Sequence, residues 1–273
     1  MKICALISSH SNPVFTKLTV ASLLKTVGQN HQVSIHIGAH KNYSDYSDDT
    51  SMFTELSDIC HFHLVDEIDW MAHNSDIYRY SKMHGKNLEN LFNQVKYFDF
   101  DILLVLDNDL HFHDDFVSKY YNDEELLGSL FDDNDQIKTV IDSYGNPIEF
   151  MPKLSVWNII VSRSMYDFIM KLPEMVKPEV VNANQVGLET TNPVLFDTFA
   201  KVYFLATQWK HNIKILPTKE LSNSITHFFG SSFNYGVKFR VNDQDKIVEN
   251  VKSIYKDQGY EDFLKNYIKS KGY

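Results

Sequence analysis

Ile102-Leu103-Leu104-Val105-Leu106-Asp107-Asn108-Asp109 is the stretch whose reading decides the fold. Five apolar residues run without a break and stop at two carboxylates. A short, continuous apolar run suits a strand buried on both faces, as in a parallel sheet covered by helices. A helix fits less well, because Asp107 ends the run abruptly. In open α/β sheets ligands bind just beyond the carboxyl ends of the strands, so Asp107 and Asp109 stand where such a fold keeps its chemistry. Residues i and i+2 of an extended segment point the same way. Both carboxylates can therefore face one ion, and hard cations such as Mg²⁺ or Mn²⁺ take oxygen ligands. Asp-Asn-Asp is also ordinary turn composition, which leaves a plain loop open as the other reading.

Toward the N-terminus, Ile3 to Ile7 reads as a first strand that ends in Ser8-Ser9-His10-Ser11-Asn12-Pro13. Phe15, Leu18, Ala21 and Leu24 then recur at helical spacing before Gly28, and Val33 to Ile37 is a second strand ended by Gly38-Ala39-His40. Strand, polar loop, helix, strand is a βαβ opening. Phe53 to Ser57 is expected to form a short helix, Cys60 to Val65 a third strand with His61 and His63 on its exposed face, and Trp70 to Lys82 a loop over the site. Leu88, Leu91, Phe92 and Val95 give another helical spacing that leads into the central run.

Toward the C-terminus, the acidic stretch from Leu110 to Gly145 reads as mostly solvated, irregular surface. Further strands are expected over Ile137–Ile141, Leu154–Val161 and Ile213–Leu216, and a helix over Arg163–Leu172. Val180 to Asn192 reads as polar loop and Pro193 to His211 as one long helix with proline near its first turn. From Asp245 to Ile268 the apolar spacing gives two helices broken at Gly259. With no internal repeat or low-complexity linker, residues 1–235 read as one α/β domain, and residues 236–273 as a helical tail packed on it.

The chain has 273 residues, 43% of them hydrophobic, enough to bury a substantial core. Lys plus Arg is 26 against 36 for Asp plus Glu, a formal charge of −10. That balance argues against nucleic acid as a partner, which calls for general attraction to phosphate backbones. An anionic small molecule is still admitted if a metal supplies positive charge. The two cysteines, Cys4 and Cys60, sit in apolar, strand-like contexts without zinc spacing. The run Lys2 to Ile7 is too short for a signal peptide or a membrane span. A cytoplasmic location is expected, with at most peripheral membrane contact through Lys265, Lys269 and Lys271.

Three features fall in a particular order: the βαβ start, the strand ending in Asp107-Asn108-Asp109, and much later Phe196-Asp197 followed by Trp209-Lys210-His211-Asn212-Ile213-Lys214-Ile215-Leu216-Pro217 and His227. This order resembles the nucleotide-sugar-dependent glycosyltransferases of the GT-A fold, particularly the family 2-like group, over residues 1 to about 235. The resemblance implies a GT-A-like, Rossmann-related α/β fold with a mostly parallel central sheet flanked by helices. It also implies a donor that is a UDP- or GDP-linked sugar, and an acceptor hydroxyl on a glycan, a lipid-linked glycan or a small molecule. In such an enzyme Asp107 and Asp109 would hold Mn²⁺ or Mg²⁺ on the diphosphate, with His227 as a third ligand. Asp197 would be the base, with Glu189 as runner-up. Ser8, Lys86 and Gly230 would lie against the nucleotide or its phosphates. The segment Trp157 to Arg163 resembles that family's acceptor-side strand leading into a helix. The chain departs from the pattern in two places: Phe196 stands where the family has an acidic residue, and Gly38-Ala39-His40 stands where it has an aspartate. Asp45 or Asp66 could replace the latter.

Two other functions are consistent with the residues. His111 and His113 directly follow Asp109, and with Asp107 they would suit a metal-dependent hydrolase or phosphoesterase. A binding module with a degenerate site is the third.

Overall fold

The computed structural model describes residues 1–9, 13–40, 50–65, 79–130, 135–141, 145–172, 176, 178–228 and 244–272. In chain order the elements are β1 (Lys2–Ser8), α1 (Pro13–Asn30), β2 (Gln32–His40), α2 (Ser51–Glu55), β3 (Cys60–Val65), α3 (Arg79–Gln94), β4 (Ile102–Asp107), β5 (Leu110–Phe112), α4 (Phe116–Tyr120) and β6 (Leu126–Gly128). They continue with β7 (Lys138–Ile141), β8 (Pro147–Phe150), β9 (Ile159–Ser162), α5 (Arg163–Ile169), β10 (Glu179–Asn182), β11 (Pro193–Phe196) and α6 (Ala200–Gln208). The last are β12 (Ile213–Ile215), α7 (Thr218–Leu221), β13 (Ile225–His227), α8 (Gln244–Asp257) and α9 (Tyr260–Ser270).

The main sheet has seven strands in the order β12-β6-β9-β4-β1-β2-β3. Strands β3, β2, β1 and β4 run parallel, and β9 opposes both of its neighbours. Strands β6 and β12 are parallel to each other. The apolar run of β4 feeds both faces, as its composition requires. Ile102, Leu104 and Leu106 join one core with α1, α8 and α9, while Leu103 and Val105 join the other with α3, α5 and α6. β1 alternates in the same way, with Ile3, Ala5 and Ile7 on one side and Cys4 and Leu6 on the other. The mostly parallel, helix-flanked α/β fold expected from the sequence is the fold observed. Among the described residues no helix is long and apolar enough to cross a membrane.

Several local expectations are corrected. The stretch from Pro193 does not open a long helix. Pro193–Phe196 is a strand, paired antiparallel with β10 and parallel with β8 in a four-stranded sheet ordered β10-β11-β8-β7. Proline is tolerated there because the first residue of a strand can go without a donor. The helix starts only at Ala200, after Phe199 reverses the chain at φ 67°. The start of the expected polar loop, Val180 to Asn192, is likewise a strand, since β10 runs over Glu179–Asn182. The acidic stretch after Asp109 holds β5, α4 and β6 rather than irregular surface. The strand foreseen over Leu154–Val161 is confined to Ile159–Ser162, and Leu154 forms a lone bridge with Leu130. Of the foreseen loop over Trp70–Lys82, residues 66–78 lie outside the described residues, and residues 79–82 are the start of α3.

His63 is not a simple surface residue. Its Nε2 lies 2.9 Å from Nδ1 of fully buried His36, with the two rings 11° from coplanar. His61 stacks on His36 at 4.7 Å, and Phe98 meets it edge-on at 4.4 Å. Burial pushes the His36 imidazole down to about 3, and the neighbouring His61 and His63 act in the same direction. The unfolded chain therefore takes up this proton near 6.5 and the folded chain only near 3. The contribution of His36 to stability should be complete above pH 6.5 and be lost progressively as pH falls toward 3. Denaturant unfolding at pH 7 and pH 4.5 checks this. His36→Leu should lose less stability between the two than the natural protein does, and an equal loss would refute it.

Candidate metal centre

The site is built at the carboxyl ends of β1 and β4. These strands lie side by side in a register that places Ser8 opposite Asp107. α1 packs on one face of the sheet and α3 on the other, so the crevice beyond β1 and β4 is the kind in which α/β sheets bind ligands. The turn after β4 is held by buried hydroxyls of α1. Thr19 Oγ1 lies 2.9 Å from the carbonyl oxygens of both Asn108 and Leu110, and accepts from the Leu110 N–H at 2.9 Å. Asn108 Nδ2 donates to Thr16 Oγ1 at 3.2 Å, and Ser22 Oγ accepts from the Phe112 N–H at 3.1 Å. The spacing 16, 19, 22 is one polar seam of the helix, facing a turn whose backbone would otherwise be unpaired in the interior.

A second device brings in the histidine. β13 pairs antiparallel with β5 so that His227 stands opposite Leu110, and the Phe228 N–H donates to the Asp109 carbonyl at 3.0 Å. His227 Nε2 comes to 3.0 Å from Asp109 Oδ1 and 3.8 Å from Asp107 Oδ2. Trp157 covers the imidazole with its ring centroid 5.1 Å away. Burial alone would lower the affinity of His227 for a proton, but the adjacent Asp109 and then Asp107 outweigh it and raise the pKa above the ordinary value.

One oxygen of Asp107, one of Asp109 and one nitrogen of His227 all lie within 4.8 Å of one another. Asp109 is 1% exposed, and among the described residues its carboxylate has no hydrogen-bonding partner beyond the His227 imidazole, whose Nε2 lies 3.0 Å from Oδ1. A buried carboxylate with a single imidazole against it is under-partnered and costly to desolvate, and a divalent ion would relieve that cost. Two carboxylates and an imidazole suit Mn²⁺ and related ions, with carboxylates alone closer to the preference of Mg²⁺. The residues therefore fit a divalent cation.

Asp107, Asp109 and His227 are thus brought together, and Ser8 joins them. Ser8 is fully buried, with Oγ accepting from Asn87 Nδ2 at 2.8 Å. Lys86 lies on α3 immediately before Asn87, partly exposed. Asp197 is buried in the turn between β11 and α6, where it forms an ion pair with Lys153 and accepts from the Thr198 N–H at 2.7 Å. Glu189 is exposed in the segment before β11. Gly230, His10, Asp45 and Asp66 lie outside the described residues. His111 and His113 are not part of the cluster. His111 Nε2 is 2.9 Å from Tyr260 Oη on α9, and His113 Nε2 is 2.7 Å from Thr226 Oγ1. The four-ligand set of the hydrolase reading is therefore not assembled among the described residues.

Sequence reasoning missed His84, Asn87, Lys153 and the hydroxyls of α1. Only the hydroxyls left a signal, the i, i+3, i+6 recurrence of Thr16, Thr19 and Ser22 inside an otherwise apolar helix. Gly38, read as a departure from a family pattern, has a structural reason. A Cβ at this position would run into Oδ1 of Asn87, whose Nδ2 donates to the Gly38 carbonyl at 3.0 Å.

No family model matches the chain, and no curated protein matches it. Among solved structures it is similar to the inositol-1-phosphate CTP transferase from T. maritima, at 9% identity and a TM-score of 0.37 over 78% of this chain and 84% of that one. A superposition this loose bears on neither site nor reaction.

Replacing Thr19 by valine keeps its shape and leaves the buried Leu110 N–H without its acceptor, which should cost about 1–3 kcal/mol. The denaturant midpoint measures this directly. A Thr19→Val protein as stable as the natural one would mean that the turn holds its own shape.

Proposed function

We propose that this protein is a metal-dependent glycosyltransferase that moves a sugar from a nucleoside-diphosphate donor to an acceptor hydroxyl. The observation that carries the reading is the convergence of Asp107, Asp109 and His227 at the end of the central strand, with the Asp109 carboxylate buried and partnered only by the His227 imidazole among the described residues. The order of sequence features that resembles the GT-A family supports it independently.

In this reading Asp107, Asp109 and His227 would hold Mn²⁺ or Mg²⁺, which would supply positive charge for the departing diphosphate. Ser8, Lys86 and Gly230 lie against the nucleotide or its phosphates. A UDP- or GDP-linked sugar is the donor, and a glycan, a lipid-linked glycan or a small molecule is the acceptor. Trp157 excludes water from His227 and forms a wall of the cleft.

Asp197 is the proposed base, taking the proton of the acceptor hydroxyl as it attacks. Its placement has support from the segment between β8 and β9. That segment carries both Trp157, which touches His227, and Lys153, which pairs with Asp197. Lys153 and Trp157 are four residues apart, a span of at most about 14 Å even when fully extended. Lys153 fixes the orientation of the Asp197 carboxylate. Glu189, exposed before β11, is the alternative base.

Thermal melting against nucleoside diphosphates, with and without Mn²⁺, tests the reading. A ligand at a hundredfold excess over its Kd should stabilise the chain by about 2.7 kcal/mol. One nucleotide should raise the melting temperature with Mn²⁺ present and fail with chelator, and Asp109→Asn should abolish the shift. No response to any nucleotide would overturn the reading. Asp197→Asn should keep the nucleotide-dependent shift and lower turnover of the donor sugar by about 10²–10⁴-fold. Unchanged turnover would move the role to Glu189.

A further inference from the structure

His84 has no role in the reading above, yet it meets the site from the far side of the sheet. It belongs to α3, which packs on the face opposite α1. Its Nε2 is 3.2 Å from Asp107 Oδ1, with the two side chains 15% and 16% exposed. The other oxygen of the same carboxylate, Oδ2, is the one that faces His227. Asp107 is therefore held between two imidazoles, one on each oxygen.

The contact is tied to the sheet through a closed circuit. Asn87 follows His84 by three residues, which puts both on neighbouring positions of one helix face. Asn87 donates to Ser8 Oγ on β1 and to the Gly38 carbonyl on β2. Ser8 is in turn the register partner of Asp107. Asn87 thus fixes where α3 sits along the strand ends, and His84 follows onto Asp107.

We infer that His84 is a positioning residue for the metal centre: it holds Oδ1 of Asp107 and so presents Oδ2 to the ion. This rests on the metal reading under Proposed function and deepens it. A carboxylate turns about a single bond, so fixing one oxygen fixes the other. Groups that orient a ligand in this way change metal affinity without binding the metal themselves. His84 is outside the group of three whose ligand atoms converge, as a positioning role requires.

The test is a Mn²⁺ titration of the full chain without nucleotide, followed by the electron paramagnetic resonance of free Mn²⁺, for the natural protein, His84→Ala and His84→Gln. One Mn²⁺ per chain is expected in all three. His84→Ala should bind it about 10–100-fold more weakly, and His84→Gln, whose amide can reach Oδ1 as a donor, should recover most of the loss. Melting in chelator should be the same for the three, which separates the effect from general damage to the fold. Tight binding by the natural protein with an unchanged Kd in His84→Ala would overturn the inference and leave the metal reading intact. Two ions in the natural protein falling to one in His84→Ala would overturn it too, by making His84 a ligand of a second ion. No Mn²⁺ binding by the natural protein would remove the metal reading and the role of His84 with it.

Discussion

A carboxylate that is 1% exposed, with no hydrogen-bonding partner beyond the His227 imidazole among the described residues, is the constraint around which this structure is arranged. Desolvating Asp109 is unfavourable wherever it is done, and here it is done just beyond the end of a buried central strand. The surroundings bring a second carboxylate and one imidazole to the same point. Two carboxylates against one imidazole leave an excess of negative charge that suits a divalent cation.

Three separate parts of the fold hold that point. The hydroxyl seam of α1 takes up the backbone of the turn at Asn108 and Leu110. The short β5–β13 ladder sets the height of His227 against Leu110 and Asp109. The segment after β8 brings Trp157 onto His227 and Lys153 onto Asp197. Behind the turn, His111 is tied to Tyr260 of α9, and Lys25 of α1 lies over the Tyr260 ring at 4.8 Å. The C-terminal helices thus buttress the elements that carry the ligands, and Val251, Tyr255, Tyr260 and Leu264 enter the same core as α1.

Much of the framework was legible because it depends on local pattern. The unbroken run of β4, the βαβ opening and the break at Gly259, which takes up φ 65°, each leave a signature in a few neighbouring residues. The strands β6, β10 and β11 did not. Each is three or four residues long, too short to show a period, and each exists because a partner strand supplies its hydrogen bonds. Pro193 even argued for a helix start, since proline is equally at home in the first turn of a helix and at the head of a strand.

The sequence by itself determined the parallel strands at the heart of the sheet and the strand that leads to Asp107 and Asp109, because apolar runs and carboxylate spacing are properties of adjacent residues; His227 was a candidate only through the family resemblance. Only the tertiary structure decided which histidines stand at the site. His111 and His113 are the nearest to Asp109 in the chain, yet they bond to Tyr260 and Thr226. His227, more than a hundred residues away, reaches Asp109 at 3.0 Å, and His84 reaches Asp107 at 3.2 Å. The reason is physical: a two-residue period sends a side chain to one face of a strand, but which groups meet it there depends on register and on the helix packed above, and neither is written in the neighbouring residues.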